Sequence, residues 1–309
     1  MREPQHVAST KPKASAPLGR DLIKKIRKIE IVTSRKAQEQ LAGQYHSVFK
    51  GRGMSFDEVR PYQPGDEIRF IDWNVTARAG DVYIKRFVEE RELTIMLLVD
   101  LSASLSFGTD VELKREVAAM MAGLLAFSAI DNGDRVGLIL FSDRVERFVP
   151  PKKGRKHVLR CLAEILNFEP EGRGTDLAVP LEYLARVSRR QVVGFVLSDF
   201  QAPTQSFLPA LRIAARRHDI VPVVVRDPME DTLPAMGLVP FEDLEDGTTH
   251  WVDTSSRRAR EAYRERNEAA TKRLLGELRR NKLDAVRVRP GGAYEKALIQ
   301  FFQLRAKRL

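Results

Sequence analysis

Four short apolar runs, residues 93–99, 135–141, 192–198 and 219–225, recur along the middle of this chain, separated by segments long enough for amphipathic helices. Runs dominated by Val, Leu, Ile and Phe, without polar alternation, belong to strands buried on both faces, which means a sheet covered by helices on either side. The alternation of strand with helix predicts an α/β fold with a central, mostly parallel sheet in a Rossmann-like arrangement. The expected elements are strand 93–100, helix 111–130, strands 135–141 and 144–149, and helices 155–166 and 177–187. Strand 191–198, helix 204–217 and strand 219–225 follow. A hairpin over 237–252 closed at Asp246-Gly247, a helix at about 256–281, a strand at 284–289 and a helix at 293–307 complete the pattern.

Upstream the pattern differs. Residues 1–20 are rich in Pro, Ser, Ala and Lys and are expected to be a disordered tail. Residues 21–30 read as a short basic amphipathic helix, with Leu22, Ile26 and Ile29 on one face and Lys24, Lys25, Arg27 and Lys28 around it. Docking on the body of the protein is favoured over contact with a membrane surface. Residues 44–90 carry turn signals at 51–53, 63–66 and 79–81 between strand-like pieces at 67–71 and 82–88, which predicts a small β-rich element. The domain reading is therefore a tail at 1–20, a helix and β-rich element at 21–90, and an α/β domain at 91–309 with a hairpin insertion at about 237–252.

No apolar run approaches the roughly 18 residues of a membrane span, and the N-terminus lacks the apolar core of a signal peptide, so a cytoplasmic location is expected. The single cysteine, Cys161, excludes an internal disulfide and is expected to be packed rather than reactive. The net charge of +10 is uneven: residues 1–30 carry +5, residues 256–309 carry +10, and the body between is −5. The C-terminal basic residues share helices with Glu261, Glu265, Glu268 and Glu277 and are not interleaved with stacking aromatics. A solvated helix face is favoured over a nucleic-acid or acidic-partner surface.

Oxygen-bearing side chains gather where the strands end. The first run leads into Asp100-Leu-Ser102-Ala-Ser104, the 172–177 loop GRGTDL supplies Thr175, and the run 192–199, VVGFVLSD, ends in Asp199. In a parallel sheet these positions share the carboxyl edge, where open α/β sheets bind ligands. Three neutral hydroxyls and two carboxylates suit Mg²⁺ or Mn²⁺, with no His or Cys to favour zinc. Neutral oxygens leave such an ion most of its charge, available to attract a carboxylate from outside the chain. Asp176 is expected to cap the helix that follows. Trp73 is expected in a core and Arg60 paired with an acid, the alternative being that Arg60, Tyr62, Asp72 and Trp73 contact a partner. His157 and His218 have no partner at a recognisable spacing and receive no role.

The Asp-x-Ser-x-Ser loop, the threonine in a second loop and the aspartate in a third resemble the von Willebrand factor A fold with its metal-ion-dependent adhesion site. The resemblance implies Ser102, Ser104 and Thr175 as hydroxyl ligands, with Asp100 and Asp199 binding directly or through water. A wider resemblance spans residues 56–104, 132–160, the pieces GTDL and LSDF, and RRHDIVPVVVRDPME ending at Glu230. These pieces are similar to the bacterial domain-of-unknown-function family number fifty-eight. That resemblance implies a protein often encoded beside a MoxR-type AAA+ ATPase and acting with it in maturing or remodelling other proteins.

The expected function is thus a non-enzymatic, metal-dependent protein-binding adaptor, its partner an acidic side chain of the ATPase or of a client. The alternative is a hydrolase or phosphotransferase with Asp100 as nucleophile. It lacks a second aspartate two residues on, where Ser102 stands, and the chain has no Gly-x-Ser-x-Gly, phosphate-loop or Gly-x-Gly-x-x-Gly motif.

Overall fold

The computed structural model describes residues 24–27, 29, 41–45, 48–49, 55–88, 92–106, 108, 112–242 and 248–308. The expected tail at 1–20 and the hairpin closure at Asp246-Gly247 lie outside these residues. Two strands, β1 (Ser55–Pro61) and β2 (Tyr83–Val88), pair antiparallel and enclose the short helix α1 (Trp73–Ala79). The main domain begins with β3 (Thr94–Asp100), α2 (Lys114–Asp131), β4 (Arg135–Phe141) and β5 (Val145–Lys152). It continues with α3 (Arg155–Asn167), α4 (Ala178–Val187), β6 (Val193–Ser198), α5 (Thr204–Arg217), β7 (Asp219–Val225) and the single turn α6 (Pro228–Asp231). A ribbon of β8 (Leu238–Glu242) and β9 (Thr249–Asp253) precedes α7 (Arg257–Arg280), β10 (Val286–Val288) and α8 (Tyr294–Ala306).

The central sheet has six strands in the order β10-β7-β6-β3-β4-β5. All neighbours run parallel except β4 and β5. The reason is local: only three residues join β4 to β5, too few for a parallel crossover, so the edge strand turns back. Successive side chains of β3 face opposite sides. Ile95, Leu97 and Val99 enter a core shared with α2, α3 and α8, whereas Met96 and Leu98 enter one shared with α4, α5 and α7. The sheet is therefore covered on both faces, as the unbroken apolar strands require.

Residues ahead of the sheet complete the first core. Residues 41–45 are helical, and Leu41, Tyr45, Val48 and Phe49 are buried. The Phe49 ring lies 5.0 Å from Tyr45, 6.1 Å from Phe195 and 5.7 Å from Phe302. Tyr45 donates to Asp134 Oδ2 at 2.9 Å. Ile29 is buried against α2 at Gly123, where a Cβ would sit 2.5 Å from its Cγ2, so glycine is what permits the approach. Ile29 thus docks on the protein body.

Two local expectations are corrected. The strand-like piece at 67–71 is a single 3-10 turn, Ile68–Phe70, followed by a lone bridge from Ile71 to Ile84. Trp73 is not core: it opens α1, a seven-residue helix that buries none of its residues, and is 66% exposed; Asp72 caps that helix through Asn74 and Val75. Arg60 does pair with an acid, reaching both oxygens of Asp66 at 2.7 and 2.9 Å. Cys161 is buried, and desolvation pushes its thiol up to about 12, which keeps it protonated and unreactive. Basic residues of α7 pair along the helix, Arg257 with Glu261 and Arg280 with Glu277, as a solvated face would. Among the described residues no helix is long and apolar enough to cross a membrane.

Candidate functional site

The chain leaves β3 towards β4 on one side, while β6 lies against the other side of β3. Between the carboxyl ends of β3 and β6 the strand order reverses, which opens a crevice at that edge. Asp100 ends β3 and Asp199 follows β6, so both carboxylates are delivered to this crevice by strand register alone.

Asp100 is fully buried. Its Oδ1 accepts from the Ser102 amide at 2.8 Å, the turn typical of an aspartate bonding two residues on, and its Oδ2 accepts from Ser198 Oγ at 2.7 Å. Each oxygen keeps a lone pair for a further contact. The turn aims Ser102 and Ser104 together, their Oγ atoms 3.1 Å apart. Adjacent oxygens of an octahedral Mg²⁺ site with 2.1 Å bonds stand about 3.0 Å apart, so this pair fits two neighbouring positions of such an ion.

The second loop is tied to the first. Ala103 donates to the Arg173 carbonyl at 3.2 Å, and Asp176 donates through its amide to the Ser142 carbonyl at 3.0 Å. Gly172 is squeezed against Ser142 and Asp143, where any Cβ would lie 2.3 Å from side-chain oxygens. Thr175 is carried half-buried in this loop, and Asp176 accepts from the Ala178 amide at 2.8 Å at the head of α4.

At the third position the backbone is strained. Phe200, directly after Asp199, is held at φ 53°, a left-handed conformation rare for a bulky residue. Its ring is buried on Phe207 at 5.8 Å and its amide donates to Ser198 Oγ at 3.1 Å, which together fix the turn. Asp199 is 1% exposed, with Oδ1 accepting from the Gln201 amide at 3.2 Å. Its Oδ2 accepts from Lys114 Nζ at 2.9 Å, and the same ammonium pairs with Glu230 of α6.

Neither Lys114 nor Glu230 was given a site role from the sequence. One signal pointed to Lys114: a lysine in the first turn of a long helix opposes the helix dipole and calls for carboxylates nearby. Burial disfavours the Lys114 charge, yet Asp199 and Glu230 outweigh it and hold the ammonium above its ordinary pKa. Burial raises Glu230, with Lys114 opposing the rise.

Burial, reinforced by the Asp199 carboxylate, raises Asp100 to about 7 against the hydrogen bonds from Ser198 and Ser102. Unfolding would return it to the ordinary carboxyl value of about 3.9. Between these values the ion-free folded protein binds more protons than the unfolded chain, so stability through this group declines as pH rises from about 4 to about 7. Melts of chelator-treated protein at pH 5 and pH 8 are expected to show that decline, and Asp100→Asn is expected to remove it. A cation must displace the same proton, so its affinity is expected to rise by up to about tenfold per pH unit below 7 and to level off above.

All five residues expected from the sequence thus stand at one sheet edge: Asp100, Ser102 and Ser104 on the β3 loop, Thr175 on the neighbouring loop and Asp199 after β6. Among the described residues no group of three or more His, Cys, Asp or Glu is placed to hold a metal ion. A cation here would rest on two carboxylates and hydroxyls, a donor set suited to Mg²⁺ or Mn²⁺.

Related proteins resemble this chain in sequence over part or most of its length. It is 36% identical over 225 residues to the Rv1480 protein of Mycobacterium tuberculosis H37Rv, covering 72% of this chain and 70% of that one. It is 34% identical over 108 residues to YeaD of Bacillus subtilis 168, covering 34% and 25% of the two chains. Among solved structures, BatB from Bacteroides thetaiotaomicron matches at 17% identity and a TM-score of 0.44, over 70% of this chain and 99% of that one. An aerotolerance-related membrane protein from Bacteroides fragilis matches at 16% and 0.46, over 70% and 100%. The family described as protein of unknown function DUF58 matches residues 58–273. With β2 to β9 and the sheet-edge loops that carry Asp100, Thr175 and Asp199 inside that match, the chain belongs to this bacterial family.

Proposed function

We propose that this protein is a non-enzymatic adaptor whose sheet edge binds Mg²⁺ or Mn²⁺ and, through the ion, an acidic side chain of another protein. In this reading the main domain is of the von Willebrand factor A type, with Asp100, Ser102, Ser104, Thr175 and Asp199 as its metal-ion-dependent adhesion site. The observation that carries it is the 3.1 Å Ser102–Ser104 oxygen pair beside buried Asp100 at the strand-order reversal. When bound, the ion would supply a Lewis-acidic position for an outside carboxylate. The chain's part is to present the hydroxyls, orient Asp100 through Ser102 and Ser198, and keep the loops in register through Ala103 and Asp176.

The favoured partner is a MoxR-type AAA+ ATPase or its client, in the cytoplasm; what supports it is the family membership. Trp73 and Ile68, 66% and 69% exposed on the accessory element, offer apolar contacts of the kind partners bury. The hydrolase alternative gains nothing from the geometry: Ser102, not a second carboxylate, stands beside Asp100 where an acid/base partner is wanted. Binding of this protein to the MoxR-type ATPase of the same bacterium, measured in Mg²⁺ and in chelator, tests the reading. The complex is expected to weaken at least about tenfold in chelator, as loss of one charge-assisted contact implies. Equal affinity in both would remove the ion from the interface.

A further inference from the structure

We propose that Lys114 is a built-in counter-cation that holds Asp199 back from a bound ion, leaving the ion a coordination position for a carboxylate from outside the chain. The inference rests on the adhesion reading above and concerns how that site stays open.

The ammonium is enclosed, not draped on the surface. The Lys114 side chain is 1% exposed, and its Nζ sits between Asp199 on the β6 turn and Glu230 on α6. Glu230 is itself anchored: its Oε2 accepts from the Asp227 amide at 2.9 Å and its Oε1 from Gln201 Nε2 at 2.8 Å. The lysine therefore cannot swing out to water without leaving buried Asp199 uncompensated and Glu230 with Arg226 alone, 3.5 Å from its Oε2, a costly state.

The consequence follows from charge. Asp199 is the one carboxylate besides Asp100 in the five-residue set, and the ammonium already neutralises it. Because its Oδ2 faces the Lys114 ammonium, a charge that repels a cation and that Asp100 does not carry, Asp199 is disposed to reach an ion through water. The ion's direct protein ligands are then Asp100 and neutral hydroxyls. Such an ion keeps most of its charge, binds this chain weakly, and attracts an external carboxylate strongly.

The test is a calorimetric titration of chelator-stripped protein with Mn²⁺, paired with a count of ion-bound waters by electron-nuclear double resonance. The samples are wild type, Glu230→Gln, Lys114→Met and the double variant Lys114→Met/Glu230→Gln. Removing the ammonium frees Asp199, so both Lys114→Met proteins are expected to bind Mn²⁺ at least about tenfold tighter and to lose one bound water. Glu230→Gln keeps the ammonium but removes its second counter-charge, so binding is expected to weaken severalfold. The opposite signs keep the proposal open to failure even where Lys114→Met alone does not fold. Folded Lys114→Met proteins that bind no tighter than wild type overturn it, as does a Glu230→Gln protein that binds more tightly. Wild type that binds no Mn²⁺ beside a Lys114→Met protein that does supports the counter-cation and revises the adhesion reading. Absence of binding in all four proteins overturns both.

Discussion

Replacing Ser102 and Ser104 together by alanine is expected to abolish binding of Mg²⁺ and Mn²⁺ while leaving the fold intact. Two of the three neutral oxygens offered to an ion vanish, and with Asp199 held by Lys114 and Gln201 only Asp100 and Thr175 remain, too few to hold it. The fold should hardly notice. The two hydroxyls bond to each other, so deleting both leaves neither without its partner, and the change is expected to stay within about 1 kcal/mol. Asp100 loses the contact from the Ser102 hydroxyl but keeps the bond from the backbone amide of residue 102 and the one from Ser198. Calorimetry of ion binding and a urea transition on the same sample check both halves. Ion binding retained in the double variant would move the site away from this loop, and a lost urea transition would make the loop structural.

The largest stability effect is expected outside the site. Phe49→Ala should cost about 3–5 kcal/mol, seen as a lower urea midpoint with little change in slope. Phe49 meets Tyr45, Phe195 and Phe302, and Arg305 stacks 5.0 Å above its ring. Truncation would leave a cavity lined by large rings that cannot collapse into it. A loss under about 1 kcal/mol would mean that the segment before β1 is an accessory to the main core and not a part of it.

These two predictions mark the boundary of what could be read from the chain. The Asp100, Ser102 and Ser104 loop was legible because an unbroken apolar strand ends there, and strand ends in a parallel sheet share one edge. Asp199 followed by the same logic, whereas Thr175 was read from a loop that leads into a helix and not from a strand end. Phe49 was not legible as core. Its neighbours in sequence give too short a pattern for periodicity to act on, and its packing partners Phe195 and Phe302 lie far along the chain. Trp73 failed in the opposite way: a large aromatic reads as core by composition, yet it lies on a short helix that buries none of its residues.

Lys114 is the clearest case of a residue that local pattern conceals. It sits 85 residues from Asp199 and 116 from Glu230, and no spacing rule connects them. Its position in the first turn of α2 ran against the helix dipole, but that alone named no partner. By itself, the sequence determined the type and order of the elements and the gathering of hydroxyls and carboxylates at strand ends, because these depend on periodicities of 2 and 3.6 within a few turns of chain. Only the tertiary structure decided which strand lies beside which, which aromatic rings close the core, and which buried cation faces Asp199. Those are pairings across distance, where burial forces each charge to find an opposite charge wherever the fold happens to bring one.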